Sequence, residues 1–129
     1  MQAASALGRS CSNRYGPTLI DRVADNQRSL ATRHDYFWTI LPIYWELQET
    51  EKKRLIRVAF ALLNENRSYF TAGYLGHLVG VEFGPDSKNP RYLKEDGLNL
   101  NREYFEETVR NALDWWVFHE AHYAENAGL

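Results

Sequence analysis

From Pro42 to Asn66 the chain reads PIYWELQETEKKRLIRVAFALLNEN, and the spacing of its apolar residues leaves little choice of secondary structure. Leu47, Leu55, Val58, Ala59, Leu62 and Leu63 recur at intervals that bring them onto one face of an α-helix. The stretch is expected to form one helix or two abutting ones. Pro42 suits a first turn, where its missing N–H costs nothing. Glu49, four residues before Lys53, adds an ion pair on the wet side. The basic run Lys52, Lys53, Arg54 and Arg57 follows Glu46, Glu49 and Glu51 closely. It therefore reads as a salt-bridged, solvated face rather than a contact for phosphate or acidic lipid.

The flanking segments carry the same period. Thr18 is placed to cap a helix through Leu19, Ile20, Val23, Leu30 and Ala31 that ends near His34 and Asp35. Ser68 is placed to cap a short helix running to Leu78. Val79, Val81 and Phe83 alternate with Gly80 and Glu82, however, as a half-buried strand would. GPDSKNP, residues 84–90, is a loop by composition. A last long helix is expected from an Asn99 or Asn101 cap to Gly128. Its buried face would be Phe105, Val109, Ala112, Leu113, Trp116 and Val117, with Glu103, Glu106 and Glu107 near its positive end. The expected fold is all-α: a single small helical domain of four to five helices, bundle or orthogonal cluster, over residues 17–129. An extended N-terminal tail would occupy residues 1–16.

At 129 residues the chain is long enough to bury a core without staples. A net charge of −2 with both signs interspersed leaves no broad footprint for nucleic acid. No uncharged apolar run approaches the roughly 20 residues of a spanning helix. The longest, Tyr36 to Trp45, is ten residues and contains Pro42. Cys11 is alone, so no internal disulfide forms, and in a tail no scaffold would hold a base beside it. No acidic residue precedes Asp21, whereas Arg9, Arg14 and several serines do. That composition is targeting-like and points to a mitochondrial setting, with a cytoplasmic one as the alternative.

Three constellations compete for the function. DWWVFHEAHYAEN, residues 114–126, sets His119 and His122 three apart, with Glu125 a further three on. The spacing misses the His-Glu-x-x-His zinc motif by one residue, leaving a helical metal site on His119, His122 and Glu125 as an alternative. Leu75, Gly80 and Val81 roughly fit the slots of a helix-turn-helix, and Lys88, Arg91 and Lys94 supply local positive charge for a DNA-binding regulator. The chain then gives Gly84-Pro85 and Pro90 where a recognition helix should follow. Gly73, Gly76 and Gly80 are too regularly spaced to cradle a phosphate; they suit close approach of another backbone or a ring. No dinucleotide-type or P-loop glycine motif occurs, and no cofactor is expected.

The third constellation is aromatic. With four Trp, eight Tyr and six Phe, the chain holds more rings than one small bundle buries. Tyr36, Phe37, Trp38, Tyr44 and Trp45 form one cluster; Trp115, Trp116, Phe118 and Tyr123 form another. Exposed rings are costly unless covered, so Tyr36, Phe37, Trp38, Tyr44, Trp45, Trp115, Phe118 and Tyr123 are expected to bind a partner. The leading expectation is a non-enzymatic accessory or structural subunit of a larger assembly, set in a mitochondrial membrane complex. Its partners would be other protein subunits, with peripheral membrane contact as a further option.

Overall fold

The computed structural model describes residues 15–84 and 102–124. It is all-α: five helices, with no strand among the described residues. Helix α1 covers residues 15–24 and α2 covers Leu30–Ile40. A 3-10 helix over Leu41–Glu46 follows, then α3 over Glu49–Asn66 and α4 over Tyr69–Val79. Helix α5 covers Arg102–His119, and a last 3-10 turn covers Glu120–Tyr123. The described residues fall into two compact units, divided after Leu62 and again after His119.

In the first unit, the single helix expected from Thr18 to Asp35 is two. Tyr15 and Gly16, assigned to the tail, are already helical, and Thr18 lies inside α1 instead of capping it. The break falls at Asp25–Ser29, where side chains compete with the helix for backbone groups. Asp25 Oδ1 accepts from the Gln27 N–H at 3.0 Å, and Asp25 Oδ2 accepts from Arg28 Nε at 3.1 Å. Ser29 then caps α2, its Oγ accepting from the Thr32 N–H at 3.1 Å. Arg33, only 4 % exposed, donates from Nε to the Val23 carbonyl at 2.7 Å and so satisfies the end of α1.

Pro42 opens a helix as expected, but the turn is 3-10 and ends at Glu46. Leu47 is extended (φ −68°, ψ 154°), and α3 starts afresh at Glu49. Leu55, Ala59, Leu62 and Leu63 are buried as expected; Ile56 and Phe60 are buried too, so α3 is apolar on two sides. Glu49 pairs with Lys52 at 3.4 Å rather than with Lys53.

The second unit holds α4 and α5, which pack on each other. Ser68 caps α4, and Gly80, left-handed at φ 75°, ends it through its N–H to the Gly76 carbonyl. Residues 81–84 are not a strand. Val81 donates back to the Gly76 carbonyl at 3.0 Å, and Asn111 Nδ2 on α5 donates to the Phe83 carbonyl at 2.9 Å. The buried side of α5 is Tyr104, Thr108, Val109 and Ala112. It is turned from the expected stripe: Phe105, Leu113 and Trp116 are half-buried, and Val117 is 68 % exposed. The expected helix to Gly128 stops being α-helical at His119. Asn99, Asn101 and Gly128 lie outside the described residues.

Candidate functional site

The eight rings expected to meet a partner have separate fates. Phe37 and Tyr44 are interior, at 0 % and 6 % exposure, and build the core. Phe37 follows Arg33 by one turn and precedes Ile40 by three, on the buried stripe of α2. Tyr44 is the buried residue of the 3-10 helix, and that burial, with smaller contributions from Tyr123 and Glu49, pushes its phenol up to about 12. Tyr36 is half-buried, with the Arg22 and Arg28 guanidinium groups 5.2 and 5.5 Å from its ring centre. Those cations already cover its face.

Trp38 and Trp45 remain on the outside of the first unit. Trp38 is 41 % exposed and anchored to its own helix, the indole N–H donating to His34 Nε2 at 2.5 Å. Trp45 is 60 % exposed. Its ring stands edge-on to Tyr44 at 4.9 Å and 82°, and the Lys52 ammonium lies 5.8 Å from both rings. A buried ring and a cation, both close to Trp45, thus orient an outward indole. Tyr123 is half-buried; its carbonyl accepts from Arg57 Nη1 at 2.5 Å, and burial raises its phenol pKa.

In the second unit, Trp115 is half-buried between Phe83, edge-on at 5.6 Å, and His119, stacked at 4.1 Å and 10°. Phe118 is 84 % exposed beside Val117, so the last turn of α5 presents two apolar side chains outward. Phe70, not among the expected rings, is 62 % exposed on α4. A helical wheel could have found it, since Thr71, Ala72, Leu75, Gly76 and Leu78 take the buried side. Also missed was the aromatic cluster around Tyr69, whose ring lies 4.3 Å from Phe105 and 5.9 Å from Tyr104.

The other two constellations fare differently. The His119 ring is stacked on Trp115, with Nδ1 2.7 Å from the Trp115 carbonyl, which assigns the proton of the neutral ring to Nδ1. His122 lies edge-on to Tyr123 at 5.5 Å. Glu125 lies outside the described residues, and among those described no three His, Cys, Asp or Glu side chains are grouped to hold a metal. Lys88, Arg91 and Lys94, the DNA-binding candidates, also lie outside them, as do residues 1–14 of the expected tail. No helix among the described residues is long and apolar enough to cross a membrane. No protein-family model, curated protein or solved structure matches the chain, and the outward Trp45 and Phe118 stand on their own geometry.

Proposed function

We propose that this protein is a non-enzymatic, helical interaction protein, an accessory or structural subunit of a larger protein assembly, docking through Trp45 and through the Val117–Phe118 tip of α5. One observation carries the reading: large apolar side chains, Trp45 at 60 % and Phe118 at 84 % exposure, are held outward by ordered helical segments. Scattered apolar residues are common on surfaces, but an oriented tryptophan is a different case. Trp45 is braced by Tyr44 and Lys52 before any partner arrives. Less conformational entropy is then lost on docking, which is the property of an interface hot spot. The assembly proposed is mitochondrial, on the strength of the acid-poor stretch before Asp21 alone.

The test is the native size of the endogenous protein after gentle extraction, compared with Trp45→Ala and Phe118→Ala versions. Migration far above 15.1 kDa for the parent chain, with a shift to small species for either variant, is the expected result. A parent chain that migrates as monomer or dimer removes the subunit reading.

A further inference from the structure

A cavity of about 490 Å3 in the second unit is lined by Arg67, Tyr69, Arg102, Phe105, Glu106 and Val109. None of these residues was expected at a site. Two arginines line it from different elements, Arg67 from the α3–α4 turn and Arg102 from the first turn of α5. Among the described residues neither is in an ion pair, unlike Arg28, which pairs with Asp25, and Arg54, which pairs with Asp21. Even with Glu106 on the lining, the formal charge of the cavity is positive. Arg67 and Arg102 are both solvent-exposed, so an anion can reach them without unburying a side chain, and two like charges lining one recess favour a counter-charge there.

The position of Arg67 is fixed tightly. Its φ is 49°, the only positive value at a non-glycine among the described residues. Its N–H donates to the Leu63 carbonyl at 2.8 Å, and on either side Asn66 Oδ1 takes the Ser68 N–H at 2.9 Å and Ser68 Oγ takes the Thr71 N–H. This is the helix-ending position at which glycine is normally favoured. The opposite character comes from Tyr69 and Phe105, whose rings lie 4.3 Å apart at 40°. Tyr104 touches both, its ring 5.9 Å from each, so the aromatic wall is braced from behind.

We propose that this cavity binds a phosphate monoester of a molecule that also carries a planar ring, with Arg67 and Arg102 on the phosphate oxygens and the ring against Tyr69 and Phe105. The choice of anion follows from the donors. A carboxylate offers two oxygens in one plane, and a single guanidinium fork already engages both of them. A phosphate monoester has three terminal oxygens and takes a fork from each of two arginines. The aromatic wall selects for what the phosphate is attached to. The cavity volume falls in the range of small-ligand sites, roughly 300–1,000 Å3. Two sources share this chemistry, a free mononucleotide and a phosphotyrosine side chain on a partner. The site is independent of docking through Trp45 and Phe118.

The experiment is isothermal titration of the full chain at low salt with AMP and with O-phosphotyrosine, against inorganic phosphate and adenosine as controls. At least one ester should bind saturably and about tenfold or more tighter than inorganic phosphate, with adenosine silent. A preference for AMP assigns a free nucleotide; a preference for phosphotyrosine assigns a partner side chain; either supports the site. Arg102→Ala and Arg67→Gly should each weaken that ester about tenfold or more, and Arg102→Lys should recover only part, because a lysine lacks the planar fork. Circular dichroism reports whether each variant keeps the parent fold, and Arg67→Gly relieves backbone strain rather than adding it. No saturable binding of either ester by the parent chain up to about 10 mM would overturn the proposal. So would an ester no tighter than inorganic phosphate, adenosine as tight as AMP, or folded variants at both arginines that bind as the parent does.

Discussion

Arg33 shows how far a single residue can depart from its usual place. It is 4 % exposed and sits one turn before Phe37 on the buried stripe of α2. A buried guanidinium is costly unless its protons are taken up, and the Val23 carbonyl at 2.7 Å, near the end of α1, takes one. That carbonyl is at the negative end of the helix, where a cation is favoured. Replacing Arg33 by Ala removes the packed stem and the charge-assisted bond together; a loss of about 2–4 kcal/mol in urea unfolding is expected. An unchanged midpoint would mean that the buried arginine is dispensable. Arg67 gives the opposite sign. Non-glycine residues at φ near +50° carry a penalty of roughly 1–2 kcal/mol, part of which glycine returns in unfolded-state entropy. Arg67→Gly should therefore stabilise the fold by about 1 kcal/mol. A destabilised variant would show that the Arg67 side chain makes a structural contact outweighing that strain. Neither role was legible from composition, which assigns arginine to the surface. The stripe position of Arg33, in phase with Phe37 and Ile40, was the one available signal.

At the scale of an element, α4 separates what periodicity reveals from what it hides. Its Ser68 cap was legible, because a hydroxyl one residue before a run of helical spacing has one obvious use. Its three glycines were legible only as places where something comes close. The structure distinguishes them. A Cβ on Gly73 would meet nothing within 4 Å, one on Gly76 would lie 2.5 Å from the Val81 carbonyl oxygen, and Gly80 has φ 75°. Alanine should thus act differently at each site. Gly73→Ala should gain about 0.5–1 kcal/mol from lower unfolded-state entropy. Gly80→Ala should lose about 1 kcal/mol to the left-handed backbone. Gly76→Ala should lose most, about 2–3 kcal/mol, since backbone rather than a pliable side chain must move. Thermal melts of the three variants test the order, and a Gly76→Ala protein as stable as Gly73→Ala would contradict the packing of residues 81–84. That packing was not readable in advance: Val79, Val81 and Phe83 alternate as a strand does, yet Val79 ends α4 and the chain from Val81 on returns over Gly76. The Asp25–Ser29 break was hidden for a related reason, because apolar spacing continues through it while Asp25 and Ser29 take the backbone bonds.

At the scale of the whole molecule, the all-α class was legible because the long segments carried the same period, and weak signals of one kind add up. The division of rings between core and surface was not, because it depends on which faces meet. Tyr44 is the clearest instance, expected on a partner surface and found 6 % exposed. Its burial makes a prediction about the molecule as a whole. The phenol is raised from 10.0 to about 12, so below pH 10 it is neutral both folded and unfolded and contributes no pH dependence. Between pH 10 and 12 the unfolded chain releases this proton while the folded chain retains it. The unfolded state then binds fewer protons, so stability falls as pH rises, by up to about 3 kcal/mol once both states are ionised. Tyr123, raised by burial in the same direction, adds to the fall. Urea midpoints measured between pH 9 and 12 should decline for the parent chain and decline less for Tyr44→Phe, which has no proton to lose. The difference between the two curves isolates Tyr44 from the lysines that titrate in the same range. If the two curves run parallel, Tyr44 ionises as freely folded as unfolded, and the ring that braces Trp45 is not a core residue.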